Sequence, residues 1–305
     1  MQNTNKLSFF SKSCLTIGYL FLYVPMIAVM VYSFNSSRLV TVWDHFSTKW
    51  YYELAKDDVM LTAAWISIRV AVISSTISIV LGGMAGFVLA RFGRFKGQSI
   101  FSSMITAPLV MPEVITALSL LLFFVSIQNL AITLEGVHFM GYVFDAPIWL
   151  KQKGMLHIII AHATFSASYV AVVISSRMRE LNISIEEAAQ DLGATPFKVY
   201  WTITLPIIMP AIISGWIMGF SMSLDDVVIS AFVTGPGTTT LPIVVYSQVK
   251  LGVSPKINAL ATIIIVVVSV CVIASALVMN RMEKRRNKEL QKAAAYTGNV
   301  VHAPA

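Results

Sequence analysis

Three carboxylates, Glu113, Asp225 and Asp226, fall within or beside long apolar stretches of this chain. An acidic side chain at mid-membrane depth costs about 2.5–3.5 kcal/mol on insertion scales, so it needs a partner or a water-filled cavity. Placed there, a carboxylate can meet a cation in passage, relay a proton, or neutralise a buried base. Glu113 follows Pro108-x3-Pro112, and two prolines one turn apart break or kink a helix. Irregular backbone at that depth is tolerated where it lines a cavity or is buried in protein. Asp225 and Asp226 are neighbours, so on a helix they point about 100° apart and at most one faces a path squarely. The structural alternative is a salt bridge with Arg69, which lies at a similar depth in the second apolar stretch. Both readings stand on the residues alone.

A second constellation runs from Ser184 to Pro210, SIEEAAQDLGATPFKVYWTITLPIIMP, a polar helix–turn–helix set between two apolar stretches. Ser184 and Glu187 have the S-x-x-E spacing of a capping box. Glu186 and Glu187 put negative charge at the positive end of the helix dipole. Gly193 stands where a left-handed residue would end the helix. Thr195-Pro196 has the residue types of an N-cap and first position for a second short helix. A polar element of this kind in a short connection suits a soluble partner that must grip it.

Other chemistry is excluded. No G-x-x-x-x-G-K-[ST] occurs, so the chain does not cradle nucleotide phosphates by that loop. His157 and His162 are five apart, about 140° around a helix, and do not face one another as a metal pair. Cys14 and Cys271 lie in apolar stretches without metal or redox spacing. No nucleophile–base–acid arrangement has a catalytic context. The residues therefore point to no enzyme, no catalytic residue, no metal and no cofactor.

The elements that must position these residues are membrane spans. The 305 residues are 56% hydrophobic and only 12% charged, with a mean hydropathy of +0.75, whereas a soluble domain carries about 25% charged residues. Six stretches reach the roughly 20 residues needed to cross a hydrocarbon core, at 14–34, 62–90, 99–127, 155–176, 205–234 and 256–280. The expected fold is all-α and polytopic, with a cytoplasmic N-terminus over 1–13, six transmembrane helices over 14–280 and a basic tail over 281–305. Fourteen of the 22 basic residues fall on one side if both termini are inside: Lys6, Lys12, Arg91, Arg94, Lys96, Arg177, Arg179, Lys198 and six after Asn280. That bias marks the cytoplasmic side. The tail RMEKRRNKELQK reads as a stop signal that meets anionic lipid rather than nucleic acid. The N-terminal apolar stretch is longer than a signal-peptide core and no A-x-A site follows it.

Glu187-Ala188-Ala189, three residues, Gly193, nine residues, then Ile203-x-Leu205-Pro206 resembles the EAA loop of bacterial ABC-importer permeases of the type I fold. The resemblance implies that the loop, over 177–206, docks on a cytoplasmic ATPase through Ser184, Glu187, Ala188, Ala189, Asp191 and Gly193. It also implies that the first span wraps a five-helix core. Segments PLVMPEVITALSLLLFF, SLDDVVISAFVTGPGTTTLPIVVYSQVKLGVSPKINALATI and SFNSSRLVTVWDHFSTKWYYELAKDD are similar to the second permease subunit of polyamine importers, nearer the putrescine than the spermidine systems. Residues 128–154 are longer than that pattern. The implied partners are a second permease subunit, two copies of an ABC ATPase, an extracytoplasmic polyamine-binding protein and the lipid of a bacterial inner membrane. Glu113, Asp225 and Asp226 would then line the substrate pathway. The rival readings are a proton-coupled secondary transporter and a membrane-bound assembly protein without a transport role.

Overall fold

Residues 9–39, 42–136, 138–139, 142–143, 145–252, 254–270, 273 and 277 are described by a computed structural model. Among the described residues the architecture is all-α, with one minimal antiparallel hairpin that pairs His138–Phe139 with Tyr142–Val143. Two compact units are present: residues 57–251 form one, and residues 1–56 with 252–305 form the other.

In the second of these units, helix α1 (Phe9–Tyr32) is apolar beyond a polar start that includes Lys12, and carries no acidic residue in its first turn. The segment after it is tied by polar side chains. Asn35 donates to the Val42 carbonyl at 2.7 Å, and its own carbonyl accepts from the Trp50 indole at 2.6 Å. Trp50 lies on the short helix α2 (Lys49–Ala55). Cys14 is exposed on α1, and Cys271 lies outside the described residues, as does the basic tail.

The larger unit is built on helix α3 (Asp58–Arg91), whose start is capped by the Asp57 carboxylate. Helices α4 (Gln98–Val110) and α5 (Glu113–Thr133) follow. The expected third span, 99–127, is thus not one helix. Met111 is extended, because the ring of Pro112 disfavours the α region for the residue before it, and Pro112, with ψ 134°, is not helical either. The membrane-length helix begins at Glu113 and runs to Thr133. A single turn, α6 (Ile148–Lys151), closes the long connection; the Lys151 ammonium pairs there with Glu135 and Asp145.

Helix α7 (Met155–Glu180) is the centre of the unit, with 56% of its apolar stretch buried. It packs most extensively on α3. Small residues make that approach possible: a Cβ on Gly82 would lie 2.5 Å from the Ala167 carbonyl oxygen, and one on Gly86 2.8 Å from that of Ala171. Such small faces let helix backbones meet closely, where packing rather than the hydrophobic effect drives association.

The polar helix α8 (Ser184–Asp191) and the turn α9 (Pro196–Val199) come next. A π-helical turn, Tyr200–Thr204, then leads without interruption into α10 (Leu205–Asp225). From Pro196 to Asp225 the chain is one helical rod of 30 residues, about 45 Å long. The wide turn precedes Pro206 and Pro210, which lack the N–H that an α-helical ladder requires. The expected fifth span, 205–234, is interrupted: Asp226 is extended, and a short helix α11 (Val228–Val233) continues beyond it. Helix α12 (Leu241–Leu251) begins where the Ser67 hydroxyl accepts from the Leu241 N–H at 2.8 Å. Val70, Ala117, Phe124, Ile158, Ile229 and Val233 form the core around the α10–α11 break. Val170, Ile174, Met178 and Ile208 form a second core between α7 and α10.

Five described helices are long and apolar enough to cross a membrane: α1, α3, α5, α7 and the rod from Pro196 to Asp225. The sixth expected span is helical over Pro255–Val270, and its remainder lies largely outside the described residues.

Candidate functional site

Two helix breaks meet in the larger unit. Glu113 opens α5 directly after the Met111–Pro112 break, and Asp226 occupies the break between α10 and α11. The carboxyl of Glu113 lies beside that of Asp226 and within the field of Asp225. The three acids singled out from the sequence are therefore brought together.

Their environments differ. Glu113 and Asp225 are exposed on this chain, whereas Asp226 is 7% exposed. The Asp226 carboxylate accepts from the N–H groups of Ile229 at 3.1 Å and Ser230 at 2.7 Å, which satisfies orphan donors at the start of α11. Its Oδ2 also lies 3.1 Å from His162 Nε2 on α7. His162 Nδ1 lies 2.6 Å from the Ser223 hydroxyl, which accepts from Ser74 on α3 at 3.2 Å. His162 Nε2 also lies 3.1 Å from the Ser230 hydroxyl, so the imidazole links Ser74, Ser223, Ser230 and Asp226 in one polar chain.

The alternative partner, Arg69, does not reach either aspartate. Its guanidinium lies over the Trp65 ring, 4.8 Å from the centroid. Both residues project from one exposed face of α3, four positions apart, and a cation stacks readily on an indole there. The alternative reading of an Arg69 salt bridge is not what forms; Asp226 meets His162 instead.

At the other end of the rod, α8 does not begin with the expected capping box. Ser184 is the first helical residue, and its N–H is accepted by the Asn182 side chain at 3.1 Å. The Ile183 turn already belongs to the helix start, since the Ile185 and Glu186 N–H groups reach the Asn182 and Ile183 carbonyls. Asn182 is the better-placed cap, two residues earlier than the Ser184–Glu187 reading required. The helix end matches expectation. Gly193 has φ +86°, the Gly193 N–H reaches the Gln190 carbonyl, and the Ala194 N–H reaches that of Ala189. This pair of bonds is a Schellman motif. Thr195 then caps α9 by accepting from the Lys198 N–H at 3.4 Å, with Pro196 at the first position.

Ser184, Glu187, Ala188, Asp191 and Gly193 are exposed, and Ala189 is half-buried. Glu186 turns the other way. Its Oε1 accepts from Arg91 at 3.1 Å and from the Thr204 hydroxyl at 2.7 Å. Leu192 and Phe197 add apolar surface beside the acids, 90% and 74% exposed.

The model of the family "Binding-protein-dependent transport system inner membrane component" matches residues 78–288, which include both constellations. The chain belongs to this family. It is a multi-pass inner-membrane permease component of the ABC importer class rather than an enzyme. This permease is 53% identical over 279 residues to the putrescine transport system permease protein PotI of Escherichia coli strain K12, covering 92% of its own chain and 94% of that relative. It is 40% identical to the spermidine/putrescine transport system permease protein PotC of the same strain, covering 87% and 91%. Among solved structures it matches a chain of a bacterial ABC transporter involved in import of the acidic polysaccharide alginate, with TM-score 0.62, 16% identity and coverage of 88% and 94%. It also matches a chain of the inward-facing MetNI methionine ABC transporter, with TM-score 0.53, 15% identity and coverage of 73% and 92%. At these identities the structures carry the type I permease fold alone.

Sequence reasoning missed His162 and Arg91 in this permease. The spacing of His162 from His157 excludes a metal pair, and the partners of His162 lie 61 to 68 residues away. A histidine in an apolar stretch that also carries Ser166 and Ser168 is the available signal. The helix dipole accounts for an acid at Glu186 but not for its partner Arg91, which lies 95 residues upstream.

Proposed function

We propose that this chain is a permease subunit that moves putrescine into the cytoplasm, driven by a separate ATPase. The substrate assignment is carried by the 53% identity, across nearly the whole chain, to a permease of a putrescine system. Exposed carboxylates beside two helix breaks support it: Asp225 offers an acceptor to an ammonium group of a dication, and Glu113, whose carboxyl lies beside that of Asp226, borders the same cluster. Asp226 belongs to the same cluster, but its oxygens are occupied by His162 and the start of α11. A dication moving inward down a potential of 100 mV, inside negative, gains about 4.6 kcal/mol. The task of the protein is then gating rather than driving entry.

The loop over 177–206 is the ATPase contact in this reading. Exposed Glu187, Ala188 and Asp191 beside exposed Leu192 and Phe197 make a mixed polar and apolar knob, suited to a soluble cleft. Ala189 and Ser184 complete its helix, and Gly193 its turn. The assembly has a second permease, two ATPase copies and an extracytoplasmic binding protein, and both termini of this chain are cytoplasmic. The permease domain spans 14–280, between a short N-terminal segment over 1–13 and the basic tail over 281–305.

The test is uptake into proteoliposomes that contain the purified whole assembly, with radiolabelled putrescine and excess unlabelled spermidine as competitor. ATP-dependent putrescine accumulation that spermidine competes for weakly is the expected result. Accumulation without ATP, driven by a proton gradient, would overturn it in favour of a secondary transporter.

A further inference from the structure

We propose that Glu186 is a positioning residue for energy coupling, through which displacement of α8 is passed to α3 and to the rod of α10. The Glu186 carboxylate is bound by Arg91, the last residue of α3, and by Thr204, the last residue of the π turn. The same Arg91 nitrogen reaches the Leu181 carbonyl at the end of α7, at 3.4 Å. One ion pair therefore joins four segments. Its two side chains are 10% and 13% exposed, so it is screened far less than a surface pair.

The connections of α8 explain why such a brace matters. The helix is joined to α7 by Leu181–Ile183 and to α9 by Leu192–Thr195, and it packs chiefly against α9. Among the described residues, Glu186 supplies the side-chain hydrogen bonds from α8 to other helices. A push on the exposed face of α8 would otherwise pivot an eight-residue helix on two short hinges. With the brace intact, the same push bears on the end of α3 and on the base of the rod, whose far end is Asp225. Helix dipoles agree with this arrangement, since Arg91 closes α3 and Glu186 opens α8.

This inference rests on the loop reading above, and the experiment separates the two. The whole reconstituted assembly is assayed for ATPase co-purification, ATP hydrolysis, and putrescine taken up per ATP hydrolysed. Thr204→Val removes one bond to Glu186 without changing side-chain shape or leaving a charge unpaired. It should lower uptake per ATP about threefold or more, with hydrolysis and ATPase association unchanged, while Thr204→Ser keeps the wild-type ratio. Glu186→Gln should lower the ratio about tenfold or more. It leaves Arg91 without its counter-ion, so if that variant does not accumulate, the Thr204 pair decides. A wild-type ratio in Thr204→Val, or an equal loss in Thr204→Ser, would overturn the brace. Glu187→Lys serves as the separate control: full ATPase association in that variant would remove the loop reading instead.

Discussion

His162 Nε2 on α7 and Asp226 Oδ2 in the α10–α11 break lie 3.1 Å apart, with both side chains almost sealed from solvent. The same carboxylate also accepts from the Ile229 and Ser230 N–H groups, so the contact holds the start of α11. Removing one partner of such a contact leaves buried polar atoms unmatched, which costs more than the contact itself contributes.

Asp226→Asn turns one acceptor oxygen into a donor that faces other donors. It should destabilise the protein by about 1.5–3 kcal/mol, read as a lower membrane level and a lower melting temperature in detergent. His162→Leu should have the same effect. Arg69→Leu should not rescue either variant, since Arg69 is engaged with Trp65; rescue would restore the salt-bridge reading.

Glu113→Gln and Asp225→Asn should behave in the opposite way. Both side chains are exposed on this chain, so protein level and melting temperature should stay near wild type. Loss of a charge-assisted contact to an ammonium is worth about 1.5–3 kcal/mol, so uptake at low putrescine should fall about tenfold or more. Normal uptake in the double variant would remove these acids from the path.

Gly193→Val should abolish uptake with the protein still in the membrane. A left-handed backbone costs an L-residue about 1–2 kcal/mol, and a β-branched side chain suffers most. Because a Cβ at Gly193 meets nothing within 4 Å, the defect is one of backbone direction and not of packing. Retained uptake would show that the turn tolerates another geometry.

Gly82→Ala should lower stability by about 1–3 kcal/mol, as overpacking does, because the new methyl would meet the Ala167 carbonyl oxygen and the Val170 side chain. Gly18→Ala, where nothing lies within 4 Å, is the control. Equal melting temperatures would mean that α3 and α7 separate at little cost.

A reporter active only outside the cytoplasm should be silent when fused after Arg286 and active within 235–255. The reverse pattern would place the α8 knob on the wrong side for an ATPase.

Local chemistry was legible in the residues themselves. Gly193 ends α8 and Thr195-Pro196 starts α9, as the sequence predicts, because a cap involves only a few neighbouring residues. The Met111–Pro112 break was foreshadowed by the prolines for the same reason. The apolar stretches marked the spans, since their length answers to the membrane and not to each other. The cap of α8 shows where this reasoning ends: Asn182 and Ser184 are both competent, and the path of the chain out of α7 selects the first. Tertiary structure alone decided the rest. That Asp226 meets His162 rather than Arg69, and that Glu186 meets Arg91 rather than solvent, depends on which faces of α3, α7 and α10 pack together. Small residues spread along those faces set that packing, and a pairing across 64 or 95 residues of chain has no local signature for a sequence to display.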